Sequence, residues 1–532
     1  MNLSNQTQHS SWVNPIWIKR LALLALALPA LLPLLWLSSA WLSPDADSLW
    51  PHIQSVLLPP MLRETSLLLM GTALLAGVLG LSLGWLQARY EYPGRKIFDV
   101  LLLLPLSLPS YVTAFVWIGG SEYASDFGHF WRLYFGDDAM VPTVRGVWGG
   151  IWVFGLGLFP YVYALVRLSA RQTPQSLIDS AFLLQLNTLA RLRLLYLPQL
   201  WPALALGLSL VLMETLADYG AAALLGIETL TTGIYKTWLG LQSLTAAAQL
   251  ASLAVAVVML LLLLEQRARL KLSTASRGTL LRIALKPHQS ALVWLLLLGV
   301  LALSFGLPTL QLIAWATHSA TQIDRSELLH AAQNSTVLAA LAAILVVSVG
   351  LIAALLQRKR TQEPPLAMWS IPLGIGYAVP GTVLAVAILL LLGSMGQFGR
   401  WLSVSIAALL LAYLARFARM GFSPLQNRLA QLAPSVPDAA RGLGLGAIAR
   451  FRVLYAPLLL PSLLTAATLV FVETLKELPA TLVLRPLGWD TLAIKVYGYT
   501  SEGLWQQAAL PALILVVVSL IPVLFLARAA RD

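Results

Sequence analysis

Long apolar stretches alternate with short polar connections along almost the entire chain. Each stretch holds about 20 residues, enough for an α-helix to cross the roughly 30 Å of hydrocarbon in a bilayer. The pattern predicts an all-α, polytopic membrane protein with about twelve transmembrane helices, six in each half of the chain. The predicted spans are 21–43, 65–87, 97–120, 146–168, 199–218 and 244–264 in the first half, and 291–314, 334–356, 366–393, 401–417, 456–480 and 506–528 in the second.

A direct repeat relates the two halves, with matched residues 259 positions apart and no insertion across about forty positions. The matched pairs are Ser176 and Ser435, Asp179 and Asp438, Ala181 and Ala440, Arg191 and Arg450, Arg193 and Arg452, Pro198 and Pro457, Pro202 and Pro461, and Glu214 and Glu473. Repeats of this kind are typical of transporters built from one membrane unit used twice. We therefore expect two six-helix repeats, 1–265 and 290–532, joined by a basic linker at 266–289.

The composition agrees with a membrane protein, since 58% of the residues are hydrophobic, 11% are charged and the mean hydropathy is +0.78. A soluble domain of this length does not have that balance. The chain has no cysteine, which excludes disulfides and thiolate metal sites. Its six histidines are scattered, so we predict no metal site inside the membrane.

The lysines and arginines predict the orientation of the chain. With the N-terminus inside, 26 of the 35 fall in cytoplasmic segments, including six between 416 and 452. The opposite orientation would leave nine inside, against the rule that basic residues flank the cytoplasmic ends of spans. Both termini, both repeated loops and the linker are therefore expected in the cytoplasm. The net charge of +12 then reflects topology and contact with anionic lipid, and nucleic acid is not an expected partner.

Each repeated loop carries a pattern that typically starts a helix. Ser176 stands three residues before Asp179, and Ser435 stands three residues before Asp438. In this pattern the hydroxyl accepts a free backbone N–H, and the carboxylate favours the positive end of the helix. An ordinary interfacial helix is one interpretation. The pattern occurs twice, each time at the same distance from an Arg-x-Arg sequence and a proline. This repetition favours a second interpretation, in which each loop is a docking element for another protein.

The two loops resemble the EAA loop of binding-protein-dependent ABC transporter permeases. The residues that carry the resemblance are Asp179, Ser180, Ala181 and Gln185 in the first loop and Asp438, Ala439, Ala440 and Gly444 in the second. Both keep the family's spacing, although aspartate replaces glutamate in each and Gln185 replaces the glycine. The resemblance implies that each loop is a coupling helix docked in a cytoplasmic ATPase. Two ATPase copies and a periplasmic solute-binding protein are the implied partners.

The segments that follow the loops, 214–238 and 473–497, resemble the fused permeases of ferric-iron importers. This resemblance covers roughly residues 60–530 and implies a multi-pass permease of the bacterial inner membrane that works by alternating access. Relatives that carry thiamine, phosphonate, sulfate or polyamines share the loop and much of the architecture. Those cargoes remain alternatives to ferric iron.

Four acidic residues lie where hydrocarbon is expected. Glu214 and Asp218 are four residues apart near the outer end of the fifth predicted span, and Glu473 and Glu477 repeat the pair in the eleventh. That spacing places each pair on one helix face. A charge at the bilayer centre costs about 2.5–3.5 kcal/mol on insertion scales, so such residues are functional by default. One hypothesis is a ring of carboxylates along a cation pathway, partly neutralised by Lys476. The alternative is that they hydrogen-bond neighbouring helices or lie high enough to be wet.

Prolines occur in matching spans of the two halves, at Pro105 and Pro109 in the third and at Pro372 and Pro380 in the ninth. Proline inside a helix removes a hydrogen bond and clashes with the preceding turn. We therefore predict kinks at these positions, while noting that broken helices also line transport sites.

The sequence contains no phosphate-binding loop of the form G-x-x-x-x-G-K-[ST], and no Gly-Lys dipeptide at all. No catalytic constellation is present either, so the chain is not expected to be an enzyme or to bind a cofactor. ATP and magnesium are expected on the partner subunit. A secondary transporter driven by an ion gradient is the alternative class, because intramembrane carboxylates and repeats fit it too, whereas the paired loops argue against it.

Overall fold

The computed structural model describes residues 15–42, 49–185, 187–274, 278, 280–319, 323–357, 372–433 and 435–529. In these ranges, ten continuous helices are long and apolar enough to span a bilayer, and two further helix pairs are each bent at a short break. The all-α membrane fold is thus confirmed, with up to twelve spans. Numbered in chain order, spans 1 to 12 are Trp17–Trp41, Trp50–Arg89, Arg95–Ser107 with Ser110–Gly120, Gly146–Arg171, Arg193–Ala217, Leu244–Ala268, Pro287–Ser319, Arg325–Gln357, Pro372–Ala378 with Gly381–Ser394, Ile406–Ala430, Ile448–Lys476 and Trp505–Val523.

The connections contain shorter elements that recur in both halves. The short helices are Asp126–Phe135, Gln175–Leu183, Thr188–Arg191, Gly220–Leu224 and Leu230–Tyr235 in the first half, and Gly396–Ser403, Ser435–Gly442, Ala447–Arg450, Pro479–Leu484 and Leu492–Ser501 in the second. Two strands of two residues each, Tyr90–Glu91 and Ile283–Ala284, pair in parallel. Spans 5 and 11 are therefore each followed by two short helices before the next span begins.

Span 10 differs from its predicted bounds. The predicted stretch 401–417 begins in the short helix Gly396–Ser403 and ends in the middle of span 10, which continues to Ala430. Arg416 and Arg419 interrupt the apolar pattern there, which is why the sequence ended the span too early. Arg416, Arg419 and Arg428, which the orientation prediction counts as cytoplasmic, all lie within this helix.

Spans 3 and 9 break at matching prolines. The two pieces of span 3 meet at 86° and those of span 9 at 117°. Pro109 and Pro380 cap the second pieces, and the residues before them, Leu108 and Val379, are extended with ψ of 116° and 132°. Proline disfavours the helical conformation of the residue before it, so each helix must stop there. The kinks predicted at Pro109 and Pro380 are confirmed as complete breaks.

The first span of each half packs against the other half. Leu23 and Ala27 of span 1 are buried in a cluster with Leu373 of span 9 and Phe422 of span 10. Span 7 packs in turn against spans 3 and 4, and the ring of Trp315 stacks on Phe115 with centroids 6.3 Å apart. The halves are thus interlocked through their first spans, and cannot separate without exposing both of these contacts.

Spans 8 and 10 cross where two glycines face each other. A Cβ atom on Gly350 would lie 2.5 Å from the carbonyl carbon and oxygen of Gly421. A Cβ atom on Gly421 would lie 2.7 Å from the carbonyl oxygen of Val346. Backbones approach this closely only where neither residue has a side chain, which is the usual role of small residues between membrane helices.

We expect Gly350→Ala to lower the stability of the folded chain by about 1–3 kcal/mol, because the new methyl group meets backbone that cannot move aside. Gly299→Ala in span 7 is the matched control, since a Cβ atom there meets nothing within 4 Å. That change should be neutral or stabilising, because alanine favours the helix by about 1 kcal/mol. Thermal unfolding in detergent measures both, and equal midpoints would contradict the assigned crossing.

Candidate functional site

A cavity of about 120 Å³ lies between the two halves, where spans 3 and 9 break and spans 5 and 11 end. Its polar and charged lining residues are Ser110, Tyr111, Thr113, Tyr161, Glu214, Asp218, Tyr377, Arg416, Glu473, Lys476 and Glu477. All four predicted acidic residues therefore line one space. Four carboxylates and two cationic groups leave this lining with two formal negative charges in excess.

Two of the four carboxylates hold helix breaks together. Asp218 and Glu477 occupy matched positions directly after spans 5 and 11. Asp218 Oδ1 accepts the backbone N–H of Ala221 at 2.8 Å, and Glu477 accepts the backbone N–H groups of Ala480 and Thr481, each at 2.9 Å. Each carboxylate thus satisfies backbone donors that the start of a new helix leaves free. For these two residues the structure supports the alternative of hydrogen bonding to neighbouring structure.

The other two carboxylates, Glu214 and Glu473, lie one turn earlier in spans 5 and 11. Glu214 Oε1 accepts a hydrogen bond of 2.8 Å from the hydroxyl of Tyr377, which lies in the first piece of span 9. Glu473 Oε1 lies 3.0 Å from Nζ of Lys476 on the same helix. Neither carboxylate accepts the backbone N–H groups of a helix start, as Asp218 and Glu477 do. The oxygens of Glu214 and Glu473 are therefore the ones available to a solute in the cavity.

The cavity also contains two cationic groups. Arg416 of span 10 lines it and donates from Nη1 to the backbone oxygen of Val379 at 3.1 Å. That oxygen is left without a helical partner by the break at Pro380, so Arg416 stabilises the break. Among the residues that the structure describes, no three His, Asp or Glu side chains are grouped to hold a metal ion. The lining therefore offers oxygen ligands without forming a closed metal site.

A tyrosine cluster adjoins the cavity on the side away from the repeated loops. The hydroxyls of Tyr219 and Tyr497 are 3.0 Å apart, and the ring of Tyr219 also contacts that of Tyr235 with centroids 4.7 Å apart. Tyr219 is buried between Asp218 and Gly220, both of which line the cavity. Because Tyr219 belongs to the first half and Tyr497 to the second, this contact closes the gap between the halves.

The repeated loops lie at the opposite ends of spans 5 and 11 from the tyrosine cluster. Asp179 and Ser180 are exposed on the helix Gln175–Leu183, and Ala439 is exposed on the helix Ser435–Gly442. Ala440 lies on the same second helix and is largely buried. Ala181 and Asp438 belong to these helices, but their side chains lie outside what the structure describes.

The predicted cap of the first loop helix is wrong. The first helix begins at Gln175, so Ser176 lies inside it and its backbone oxygen accepts from the hydroxyl of Ser180 at 2.7 Å. The second helix includes Ser435 as its first residue. The pattern located both helices to within two residues, and boundaries carry that uncertainty.

Gln185 and Gly444 adopt the same left-handed backbone, with φ of +50° and +76°. Glycine reaches this conformation freely, whereas other residues pay about 1–2 kcal/mol for it. Replacement of glycine by Gln185 therefore does not change the path of the first loop. Gly444 is exposed, and a Cβ atom there would meet nothing within 4 Å.

Residues 76–267 match the family described as binding-protein-dependent transport system inner membrane component. The whole chain is similar to the Fe(3+)-transport system permease protein FbpB 2 of Haemophilus influenzae. The two are 28% identical over 528 residues, which cover 97% of this chain and 99% of that protein. The chain thus contains the inner-membrane permease domain of a binding-protein-dependent transport system, in residues 76–267. The predicted resemblance of the chain to these permeases is thereby confirmed.

Permeases with other named cargoes match shorter parts of this permease. The sulfate transport system permease protein CysT of Salmonella typhimurium is 28% identical over 205 residues, which cover 38% of this chain and 70% of that protein. The putative 2-aminoethylphosphonate transport system permease protein PhnV of the same species is 29% identical over 122 residues, which cover 23% of this chain and 46% of that protein. These matches support the permease class and leave the cargo open.

Sequence reasoning missed six polar members of the permease's cavity, among them Tyr161, Tyr377 and Arg416. Arg416 carried a usable signal, because a lone charge inside an apolar helix is functional by default. Tyr377 stands three residues before Pro380, and a break there brings it to the cavity. Tyr161 gave no signal, since tyrosine is common in membrane helices.

We expect Glu477→Ala to lower the stability of the permease by about 2–3 kcal/mol, because two backbone N–H groups and the Thr481 hydroxyl lose their buried acceptor. Glu473→Ala is the matched control, since it removes a half-exposed carboxylate with one ion pair and should cost about 1 kcal/mol or less. Thermal unfolding of the two variants in detergent compares them. A larger loss for Glu473→Ala would contradict the division of roles.

Proposed function

We propose that this permease imports ferric iron, delivered by a periplasmic binding protein and released to the cytoplasm by alternating access. Two observations support the cargo. An Fe(3+)-transport permease is similar to this chain over 97% of its length. The cavity between the halves presents carboxylate and phenol oxygens, which are hard ligands of the kind that a hard cation prefers.

The sign of the cavity charge separates the alternative cargoes. Sulfate and phosphonate are anions and would enter a lining with excess negative charge, which costs free energy at every step through it. Thiamine and polyamines are cations, so charge alone does not separate them from iron. Ferric iron is favoured over these by the full-length relative, and the ion would pass as cargo among the oxygens of Glu214, Glu473 and Tyr377.

The proposal places both termini, the linker and the repeated loops in the cytoplasm, as the lysines and arginines of the connections favour. Two copies of a separate ATPase, which hold ATP and magnesium, would dock on the helices Gln175–Leu183 and Ser435–Gly442. The contact residues would be Asp179, Ser180, Ala181 and Gln185 in one loop and Asp438, Ala439, Ala440 and Gly444 in the other. An ion-coupled secondary transporter would need no such docking partner. The repeat units would be 1–265 and 290–532.

We expect the double variant Glu214→Gln, Glu473→Gln to reduce ferric uptake per assembled complex by about tenfold or more, because it removes two charges that attract the cation while keeping side-chain size. Basal ATPase activity should persist, since the coupling loops lie at the other ends of the same spans. Ferric uptake is measured with the complex reconstituted in vesicles together with its cognate binding protein, and sulfate uptake is measured in parallel.

Glu327→Gln is the control, because Glu327 does not line the cavity. The double alanine variant separates packing from charge: if it alone reduces uptake while the glutamine pair is normal, the carboxylates serve packing and the cation route is wrong. Transport of sulfate in place of iron would reject the cargo.

Alternating access requires one side of the cavity to close while the other opens. The contact between Tyr219 and Tyr497 joins the halves on the side away from the coupling loops. Opening the cavity toward the binding protein would therefore require these two hydroxyls to separate. The native chain has no cysteine, so a cross-link between these positions can be introduced without background.

We expect the variant Tyr219→Cys, Tyr497→Cys to lose most ferric uptake when it is joined by a short bifunctional thiol reagent, because the halves are then held together. The uncross-linked double variant and each single variant treated with the same reagent are the controls. Cleavage of a reducible linker should restore uptake. Full uptake by the cross-linked permease would show that this contact does not open during transport.

A further inference from the structure

The end of the predicted linker folds onto the first half of the permease. The backbone N–H groups of Gly278, Leu280 and Leu285 donate to the backbone oxygens of Gln172, Arg171 and Glu91, at 2.7, 3.3 and 3.0 Å. Ile283–Ala284 pairs with Tyr90–Glu91 as a short parallel sheet. A segment that serves only to connect two units does not need such contacts, so residues 278 and 280–285 are a structured part of this face.

One side chain joins this segment to the first repeated loop. Gln175 Oε1 accepts from Arg89 Nη1 at 3.1 Å and from the backbone N–H of Leu281 at 3.3 Å. Its Nε2 donates to Asp179 Oδ1 at 2.8 Å. Arg89 is itself buried and donates to the backbone oxygen of Leu281 at 2.6 Å. Gln175 is the first residue of the loop helix, so its Oε1 ties that helix to the linker and to span 2, while its Nε2 bonds within the helix.

We propose that residues 278 and 280–285 act as a brace that fixes the orientation of the first coupling helix, with Gln175 as the positioning residue. The brace rests on the proposed docking of an ATPase at this helix. A docking helix transmits force only if its angle to the spans is held, and an amide that bridges two elements restrains that angle. The permease carries this restraint in its own linker, before any partner binds.

The second loop cannot have the same link. Pro434 occupies the position that matches Gln175, and a proline side chain has no hydrogen-bonding group. The linker enters only one of the two loops because it connects the end of span 6 to the start of span 7 and occurs once in the chain. The brace therefore makes the two coupling loops unequal.

Matched spin labels can test the brace in the permease alone. Leu184 and Leu443 are exposed and occupy matched positions in the two loops, so Leu184→Cys and Leu443→Cys report on each loop separately in a chain without other cysteines. In nanodiscs without ATPase, Gln175→Ala should increase the nanosecond mobility of the label at 184 and leave the label at 443 unchanged. Gln172→Ala is the control, since only the backbone of Gln172 contacts the linker.

Gln175→Glu separates the two ends of the bridge. It keeps an acceptor for Arg89 and Leu281 and loses only the bond to Asp179 within the helix, so the label at 184 should stay as restrained as in the native loop. Unchanged mobility at 184 in Gln175→Ala, or an equal increase at 443, would overturn the brace.

Reconstitution with the ATPase then connects the brace to transport. Gln175→Ala should reduce ATP-driven uptake by about threefold to tenfold, as expected for the loss of the two hydrogen bonds that tie the helix to the linker and span 2, one of them to the charged Arg89. Increased mobility with unchanged uptake would show a brace that does not serve coupling. If the wild-type complex binds no ATPase, the proposed function fails while the label measurement still decides the brace.

Discussion

The need to satisfy backbone hydrogen bonds away from water governs this structure. Helices can end inside a membrane protein only where other groups take over the free N–H and C=O groups. Here four helices end at one level, two before Pro109 and Pro380 and two at Asp218 and Glu477. The carboxylates take the free N–H groups, and Arg416 takes the free oxygen of Val379. The cavity exists because these ends meet there.

That constraint explains why the acidic residues divide into two kinds. A carboxylate that accepts two backbone N–H groups is held in place, as Glu477 is, and has little freedom to follow a solute. Glu214 and Glu473 each have a single partner that can move, a tyrosine hydroxyl and a lysine ammonium. Lys476 can balance the charge of Glu473 while the cavity is empty, so that the burial of unpaired charge is limited. The repeated acidic pairs in the sequence therefore combine two roles. One carboxylate of each pair stabilises a helix break, and the other is a candidate contact for the solute.

The sequence predicted the twelve spans and the meeting of four carboxylates, because hydropathy and a direct repeat are both read along the chain. It did not predict Tyr377 or Tyr161, since these reach the cavity only through the break of span 9 and the packing of span 4. The predicted end of span 10 was wrong because Arg416 and Arg419 have the hydropathy of a loop. Arg416 nevertheless lies inside the helix of span 10 and stabilises the break of span 9. The interlocking of spans 1 and 7 also lies beyond sequence reasoning, because apolar helices do not encode their neighbours in composition.

Fusion of the halves lets the two repeats diverge where they face each other. Arg416 and Lys476 are matched by Gly157 and Ala217, so the cationic groups of the cavity come from the second half alone. Gln175 is matched by Pro434, so the link between linker and loop belongs to the first half alone. In a dimer of identical chains, every such residue would occur twice, and four cations would then cancel the four carboxylates of the cavity. A single chain keeps the excess of negative charge in the cavity, and this asymmetry fits the cation cargo that we propose.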